Sequence, residues 1–326
     1  MEFDLIDAIR ARVNTTRDDV ALGIGDDAAL TRVAPGRQLV ACTDTLVAGV
    51  HFPLDAAPED VGWKSLAVNL SDLAAMGAVP AWALLALTLP DADARFVESF
   101  AAGFAALARA HDVALIGGDT TQGPLSITVT ALGTVPAGEA LTRAGARVGD
   151  AVFVTGTLGD AAGALRLLQA AGNGEQPAEG RRPSEAALSS RLNRPEPRMA
   201  AGLALRGIAS ACIDVSDGLL ADLGHVCAAS GAGAELDVAA LPLSSVLTTA
   251  FDAATCRELA LAGGDDYELC FTVAGAREAG MQAALARKGC GATRIGRIVA
   301  GSGVRVLDGH GNEVATPQSG WEHFSR

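Results

Sequence analysis

A chain of 326 residues is too long for one compact core, so two domains are expected; 49% hydrophobic residues but only 4% aromatics mean that their interiors are built mainly from Ala, Leu and Val. The net charge of −13 argues against nucleic acid or an anionic membrane as partner unless cations intervene, since the mean field repels both. No basic-then-apolar leader is visible, no apolar run approaches the roughly 20 residues of a membrane span, and six cysteines without a C-x-x-C pair read as reduced thiols of a cytoplasmic protein.

Taken in order, residues 4–13 place apolar side chains at 5, 6, 9 and 13, the spacing of a surface helix. Residues 22–30, LGIGDDAAL, set two glycines before the adjacent carboxylates Asp26 and Asp27; the residues alone fit an acidic turn as well as a site. Residues 39–52, LVACTDTLVAGVHF, predict a buried strand over 39–42 that ends by presenting Thr43, Asp44 and Thr45, followed by a turn at Gly49 and then His51. Pro58 and two acids open a helix that Gly77 closes, with Val61, Leu66, Leu70, Leu73 and Met76 as its apolar stripe. On it Asn69 and Asp72 share a face, with Lys64 close to the same side. A solvated flank accounts for Asp72, whereas Asn69 among apolar neighbours asks for a reason. A strand over 81–89, an Ala-rich helix over 92–110 and a strand over 113–116 follow. The last ends in GGDTTQGP at 117–124, where Asp119 again stands among hydroxyls and glycines that expose backbone N–H groups. A strand over 125–135 closes the first domain, and residues 137–150, with Arg143, form the linker.

The second half opens with a strand over 151–155, the turn GTLGD at 156–160 and a helix over 161–171, then a Gly, Pro and Glu-rich surface loop over 172–183. A strand over 211–215 delivers Asp214, Ser216, Asp217 and Gly218 at the start of a helix over 219–229. Residues 263–269, GGDDYEL, precede a strand over 269–273, with Asp266 capping a turn and Glu268 facing out of the strand. A helix over 277–288, strands near 293–299 and 304–307, and a tail carrying Trp321, His323 and Phe324 complete the chain.

Glycine-flanked Asp, rather than Glu, recurs at these strand ends, which suits rigid placement because fewer torsions are frozen. Carboxylates within a few Å of one another would hold protons unless cations lie between them. Oxygen-only donors point to Mg²⁺ or Mn²⁺ rather than zinc, and Mg²⁺ is commonly shared with substrate phosphates. No G-x-x-x-x-G-K-[ST], protein-kinase signature or Rossmann fingerprint is present, so a nucleotide must be held by another scheme.

Together GIGDDAA at 23–29, TDTLVAGVHF at 43–52, KSLAVNLSDLAAMGA at 64–78, LIGGDTTQGP at 115–124, DVSDGL at 214–219 and GGDDYELCF at 263–271 closely resemble the thiamine-monophosphate kinase family. Its superfamily also holds aminoimidazole ribonucleotide synthetase, selenophosphate synthetase and a hydrogenase-maturation protein. The resemblance implies an α/β chain of α+β type: residues 1–137 bind ATP and Mg²⁺ and pair their sheet across a homodimer, and residues 148–326 complete the active site. It implies transfer of a phosphoryl group from ATP to thiamine monophosphate by positioning and several Mg²⁺ ions, without a general base, and leaves room for a monovalent cation. By motif, Asp27, Cys42, Thr43, Asp44, Asp72, Asp119, Asp214 and Asp217 hold metal; Gly118, Asp119, Arg143 and Ser216 meet ATP; His51, Asp265 and Trp321 meet the substrate. Two positions depart from the pattern: Asp265 stands where Glu is expected, shortening the reach to the thiamine pyrimidine, and Cys42 where a Ser supplies a peripheral metal contact. A turn-capping His51, a linker charge at Arg143 and a tail anchor at Trp321 are the plain alternatives for those residues. Another ATP-using member of the superfamily, or a non-catalytic nucleotide- or metal-binding regulator, is the alternative for the whole.

Overall fold

Every second residue from Ser126 to Pro136 is buried, Ile127, Val129, Ala131, Gly133 and Val135 on one face, and this period of two makes the segment a strand with a single face on a core. It is the inner strand around which the first unit is built. The computed structural model describes residues 2–13, 17–172 and 182–316, and its contacts divide into two units, Met1–Leu73 with Ala78–Ala140, and Ala74–Gly77 with Leu141–Arg326.

The first unit runs α1 (Glu2–Arg12), β1 (Val20–Leu22), β2 (Leu30–Thr31), β3 (Arg37–Val47), α2 (Pro58–Ala75), β4 (Val79–Leu89), α3 (Ala94–Ala110), β5 (Ala114–Gln122) and β6 (Ser126–Pro136). Its main sheet has the order β3-β6-β4-β5, antiparallel at β3/β6 and β6/β4 and parallel at β4/β5. Asp93 caps α3 by accepting the N–H groups of Arg95 and Phe96, and Phe100, Phe104 and Leu107 bury one side of that helix. From Lys64 to Ala75 every residue of α2 is buried except Asp72, which is half-buried, so the expected solvated flank does not exist.

Two strands are longer than the sequence predicts. β3 does not stop at Cys42, because it pairs with β6 in unbroken register from Arg37↔Pro136 to Val47↔Ser126, and each threonine on its outer face meets a threonine across the ladder. β5 likewise continues through residues 117–122 along β4, where a Cβ at Gly118 would overlap the Leu85 carbonyl. Asp44 and Asp119 therefore lie within strands rather than beyond their ends.

The second unit comprises β7 (Ala151–Thr155), α4 (Asp160–Gly172), α5 (Arg182–Asn193), α6 (Met199–Leu205), β8 (Ala211–Val215), α7 (Leu219–Ser230), β9 (Gly233–Asp237), α8 (Ser245–Ala250), α9 (Ala253–Ala262), β10 (Glu268–Val273), α10 (Glu278–Ala286), β11 (Ala292–Val299) and β12 (Gly303–Leu307). Its sheet has the order β12-β9-β11-β7-β10-β8. One core joins Val152, Val154, Ile213, Leu223 and Ile298; another lies among α4, α5, α8 and α9, where Leu188, Leu192, Leu247 and Leu259 meet. Most of the expected loop at 172–183 falls on residues 173–181, outside the described residues. All six cysteines are free thiols, and among the described residues no helix is long and apolar enough to cross a membrane.

In the first unit, a Cβ at Gly62 would overlap the Phe100 carbonyl and one at Gly103 the Glu59 carbonyl, so α2 and α3 touch backbone to backbone at reciprocal glycines. Helix propensity favours Ala over Gly by about 1 kcal/mol, whereas forcing a methyl into close-packed backbone costs about 1–3 kcal/mol or more. Gly103→Ala is expected to lower the urea unfolding midpoint; an unchanged or raised midpoint would show that the helices part freely.

Candidate active site

On β3 the alternation of side chains puts Cys42, Asp44 and Leu46 on one face and Thr43 and Thr45 on the other. The Cys42 thiol donates to the Asn69 carbonyl on α2 at 3.3 Å. Burial first, then the carboxylates of Asp72 and Asp44, push this thiol far above its ordinary value. Asp44 and Asp72 thus converge on one protonated sulfur, although they are far apart in sequence. Asn69, fully buried, has its side chain engaged on both sides of this junction: its Nδ2 donates to the Ser65 carbonyl at 3.1 Å, and its Oδ1 lies 3.9 Å from the Cys42 sulfur.

A neutral thiol is a poor ligand for a hard cation, and the Cys42 main chain is turned into the β6 ladder, so the geometry does not favour the expected metal contact at Cys42. The hydroxyl of Thr43 does not join Asp44 either. It lies on the opposite face, 3.0 Å from Thr130 Oγ1 and 3.1 Å from the Val129 carbonyl to which it donates, which leaves its main chain for the Asp44 side. Asp119 occupies β5, three inter-strand steps from β3, about 14 Å away, so one copy of this sheet does not bring Asp44 and Asp119 together. Asp26 and Asp27 are exposed between β1 and β2, the Asp27 N–H donating to Asp26 Oδ1 at 2.9 Å.

After β3, Gly49 takes the left-handed conformation (φ 77°) and the chain turns tightly, with the Val50 and His51 N–H groups both donating to the Val47 carbonyl. The Val47 N–H donates to His51 Nδ1 at 2.9 Å. That bond makes Nδ1 the acceptor, so a neutral ring carries its proton on Nε2. Lys64, 3% exposed, donates its ammonium to the His51 carbonyl at 3.3 Å.

In the second unit β8 delivers Asp214, then Ser216, Asp217 and Gly218, and Gly218 caps α7 with φ 118°. Asp222, on the first turn of α7, folds back so that one oxygen accepts the N–H groups of Ser216, Asp217 and Gly218 at 3.0, 3.1 and 3.1 Å. Burial, then Asp214 and Asp217, push its pKa up to about 7. Carboxylates therefore crowd at this strand end as they do at Cys42.

The loop before β10 docks on the same strand end: Asp265 N–H donates to the Ser216 carbonyl and Tyr267 N–H to the Val215 carbonyl, both at 2.8 Å. Asp266 caps the β7–α4 turn as expected, both its oxygens accepting the Gly159 N–H at 3.0 and 2.8 Å. Glu268, expected to face outward, is fully buried. It accepts from Thr155 Oγ1, Arg191 Nη2, Arg198 Nε and Arg198 Nη2 at 2.6–2.7 Å, and these donors make its burial tolerable. Arg143 is exposed, and its carbonyl accepts from Ser230 Oγ at 3.3 Å. Trp321 lies outside the described residues.

Among the described residues no three His, Cys, Asp or Glu side chains lie close enough to cage a metal ion. The donor chemistry nonetheless fits Mg²⁺, which takes one or two carboxylates and completes its shell with water and substrate phosphate. Sequence reading missed Asp222. The signal was present: a single acid inside the apolar run LLADL, within reach of a helix N-terminus.

Residues 25–135 match the family AIR synthase related protein, N-terminal domain, and residues 147–309 match AIR synthase related protein, C-terminal domain. Thiamine-monophosphate kinase of Escherichia coli (strain K12) is 47% identical over 324 residues, 99% of this chain and 98% of the relative. The crystal structure of thiamine-monophosphate kinase from Stenotrophomonas maltophilia K279a is 53% identical, with a TM-score of 0.86 covering 94% of this chain and 96% of that one. AaThiL complexed with AMPPCP and TMP is 35% identical, with a TM-score of 0.77 covering 99% of this chain and 97% of that one.

Replacing Asp222 by Ala removes the acceptor of three N–H groups and is expected to cost about 1–3 kcal/mol of stability. Amide exchange at 216–218 should accelerate while β8 stays protected; unchanged exchange there would mean that the turn holds itself.

Proposed function

We infer that this chain, which belongs to the AIR synthase related family and within it to the thiamine-monophosphate kinases, phosphorylates thiamine monophosphate with ATP to give thiamine diphosphate. The observation that carries this reading is the near full-length likeness to such kinases, one of them complexed with AMPPCP and TMP.

The acceptor is a phosphate oxygen, already anionic near neutral pH, so the reaction asks for positioning and charge neutralisation rather than a general base. In the first unit Asp27, Asp44, Asp72 and Asp119 would hold Mg²⁺, with Thr43 contributing a main-chain oxygen from the open edge of β3; in the second, Asp214 and Asp217 would do so. Bound Mg²⁺ neutralises and orients phosphates. Gly118, Asp119, Arg143 and Ser216 are assigned to ATP. His51, Asp265 and Trp321 are assigned to thiamine monophosphate, His51 presenting its Nε2–H to the acceptor phosphate while Val47 and Lys64 fix its ring and backbone.

A homodimer and a reducing cytoplasm belong to the same proposal. β3 and β5 are the two edges of the first sheet, carrying Asp44 and Asp119 respectively, and the outer face leaves Leu39 52% exposed. Pairing edge to edge with a second copy brings that copy's Asp119 beside Asp44. Free thiols at all six cysteines suit a reducing compartment.

Incubation with ATP, Mg²⁺ and thiamine monophosphate should yield thiamine diphosphate and ADP without free phosphate; free phosphate, or ATP binding without product, would refute the assignment. In that assay His51→Asn is expected to raise KM for thiamine monophosphate about tenfold with kcat little changed, because it removes a hydrogen bond to a charged group; a fall in kcat at constant KM would sink the role. Asp44→Asn and Asp119→Asn should each be inactive, yet mixing them should restore up to about a quarter of wild-type turnover, since half the dimers are mixed and one of their two sites is intact. No restoration on mixing would place both residues in one copy's site.

A further inference from the structure

Among the described residues only three other than glycine have positive φ, and two of them, Asp265 (φ 66°) and Tyr267 (φ 50°), stand one residue apart in the loop before β10. The left-handed region is unfavourable for a tyrosine and persists only where neighbouring bonds over-determine it. Here the backbone is fixed by Asp265 N–H on the Ser216 carbonyl and Tyr267 N–H on the Val215 carbonyl, and on either side by Asp266 on Gly159 N–H and by Glu268 between two arginines. Within this loop Tyr267 Oη donates to Asp265 Oδ1 at 2.9 Å. Tyr267 is 7% exposed, whereas Asp265 is half-buried and reachable. Packing alone would be met by phenylalanine. The phenol is in place for its hydroxyl.

We propose that Tyr267 is a positioning residue of the thiamine monophosphate subsite: its hydroxyl fixes the Asp265 carboxylate so that it accepts a hydrogen bond from the exocyclic amino group of the substrate's aminopyrimidine. This rests on the assignment of Asp265 to the substrate. A carboxylate clamped before binding loses little rotamer freedom when the ligand arrives, and the short Asp side chain, with one torsion fewer than Glu, is the one this clamp can hold. The hydroxyl polarises one oxygen and does not touch the reacting phosphates, so its effect falls on substrate affinity rather than on transfer.

Tyr267 is the sole tyrosine of the chain, so protein labelled with ¹³C at the tyrosine ζ carbon gives one resonance. Saturating thiamine monophosphate should shift that resonance in the wild-type protein, and no shift would overturn the proposal even if every variant failed to fold. Tyr267→Phe should raise KM for thiamine monophosphate about tenfold, leaving KM for ATP and kcat within about twofold, as loss of a hydrogen bond to a charged group predicts. In an Asp265→Asn background the same change should add little, because the pair acts as one unit. If Asp265→Asn raises KM while Tyr267→Phe does not, the clamp is wrong and the Asp265 assignment stands; if Asp265→Asn leaves KM unchanged, the assignment and the clamp fall together. Equal rises in both KM values would indicate general loosening and overturn the positioning role.

Discussion

Crowding of like charge is the constraint on which the rest of this structure depends. Asp44 and Asp72 act together on the Cys42 thiol, and Asp214 and Asp217 act together on Asp222. Like charges that act on one buried group also repel each other, and only parts of the fold that do not give can hold them there. Hence α2 is buried on nearly all sides although it carries Lys64, Asn69 and Asp72, and a single Asp222 oxygen gathers three N–H groups to hold the 216–218 turn.

The fold separates enclosed acids from exposed ones by the donors around them. Glu268 is fully buried and balanced by two guanidinium groups and a hydroxyl, and a Cβ at Gly156 would overlap its carboxylate. Asp266 is equally enclosed and accepts the Gly159 N–H, and burial above all pushes its pKa well above the ordinary carboxylate value. Asp26, Asp27 and Asp119 are exposed, so bound cations can reach them at little desolvation cost.

Elements with an unambiguous period were legible from the residues. β7 occupies the expected 151–155, and α7 follows its glycine as read. Thr43 to Thr45 were read as the end of a strand because polar residues in a row look like an exit; a sheet with an open face accepts threonines indefinitely when threonines of β6 face them. The helices α5, α8 and α9 escaped notice because their shared core is assembled from Leu188, Leu192, Leu247 and Leu259, residues that no local window contains together. Glu268 was placed outward for the same reason: alternation along β10 is local, but Arg191 and Arg198, which make its burial possible, come about 70 residues earlier. The motifs single out both Asp44 and Asp72, whereas the opposite face of Thr43 and the strand separation of Asp119 follow only from the register.

Strain and support meet at the start of β10. Left-handed conformations at Asp265 and Tyr267 cost of the order of 1–3 kcal/mol each, and such a loop would relax if its ends were loosely held. Its C-terminal end is tied by Glu268, which accepts charge-assisted bonds at 2.6–2.7 Å, each about twice as strong as a neutral one. Its middle is tied by Asp266 to the β7–α4 turn, and its start by Gly264, where a Cβ would crowd the Ser216 carbonyl. The buried acids therefore have a purpose that the exposed ones do not share. They hold in place a backbone shape that no sequence of ordinary propensity would keep, and that shape presents Asp265 beside the strand end carrying Ser216 and Asp217.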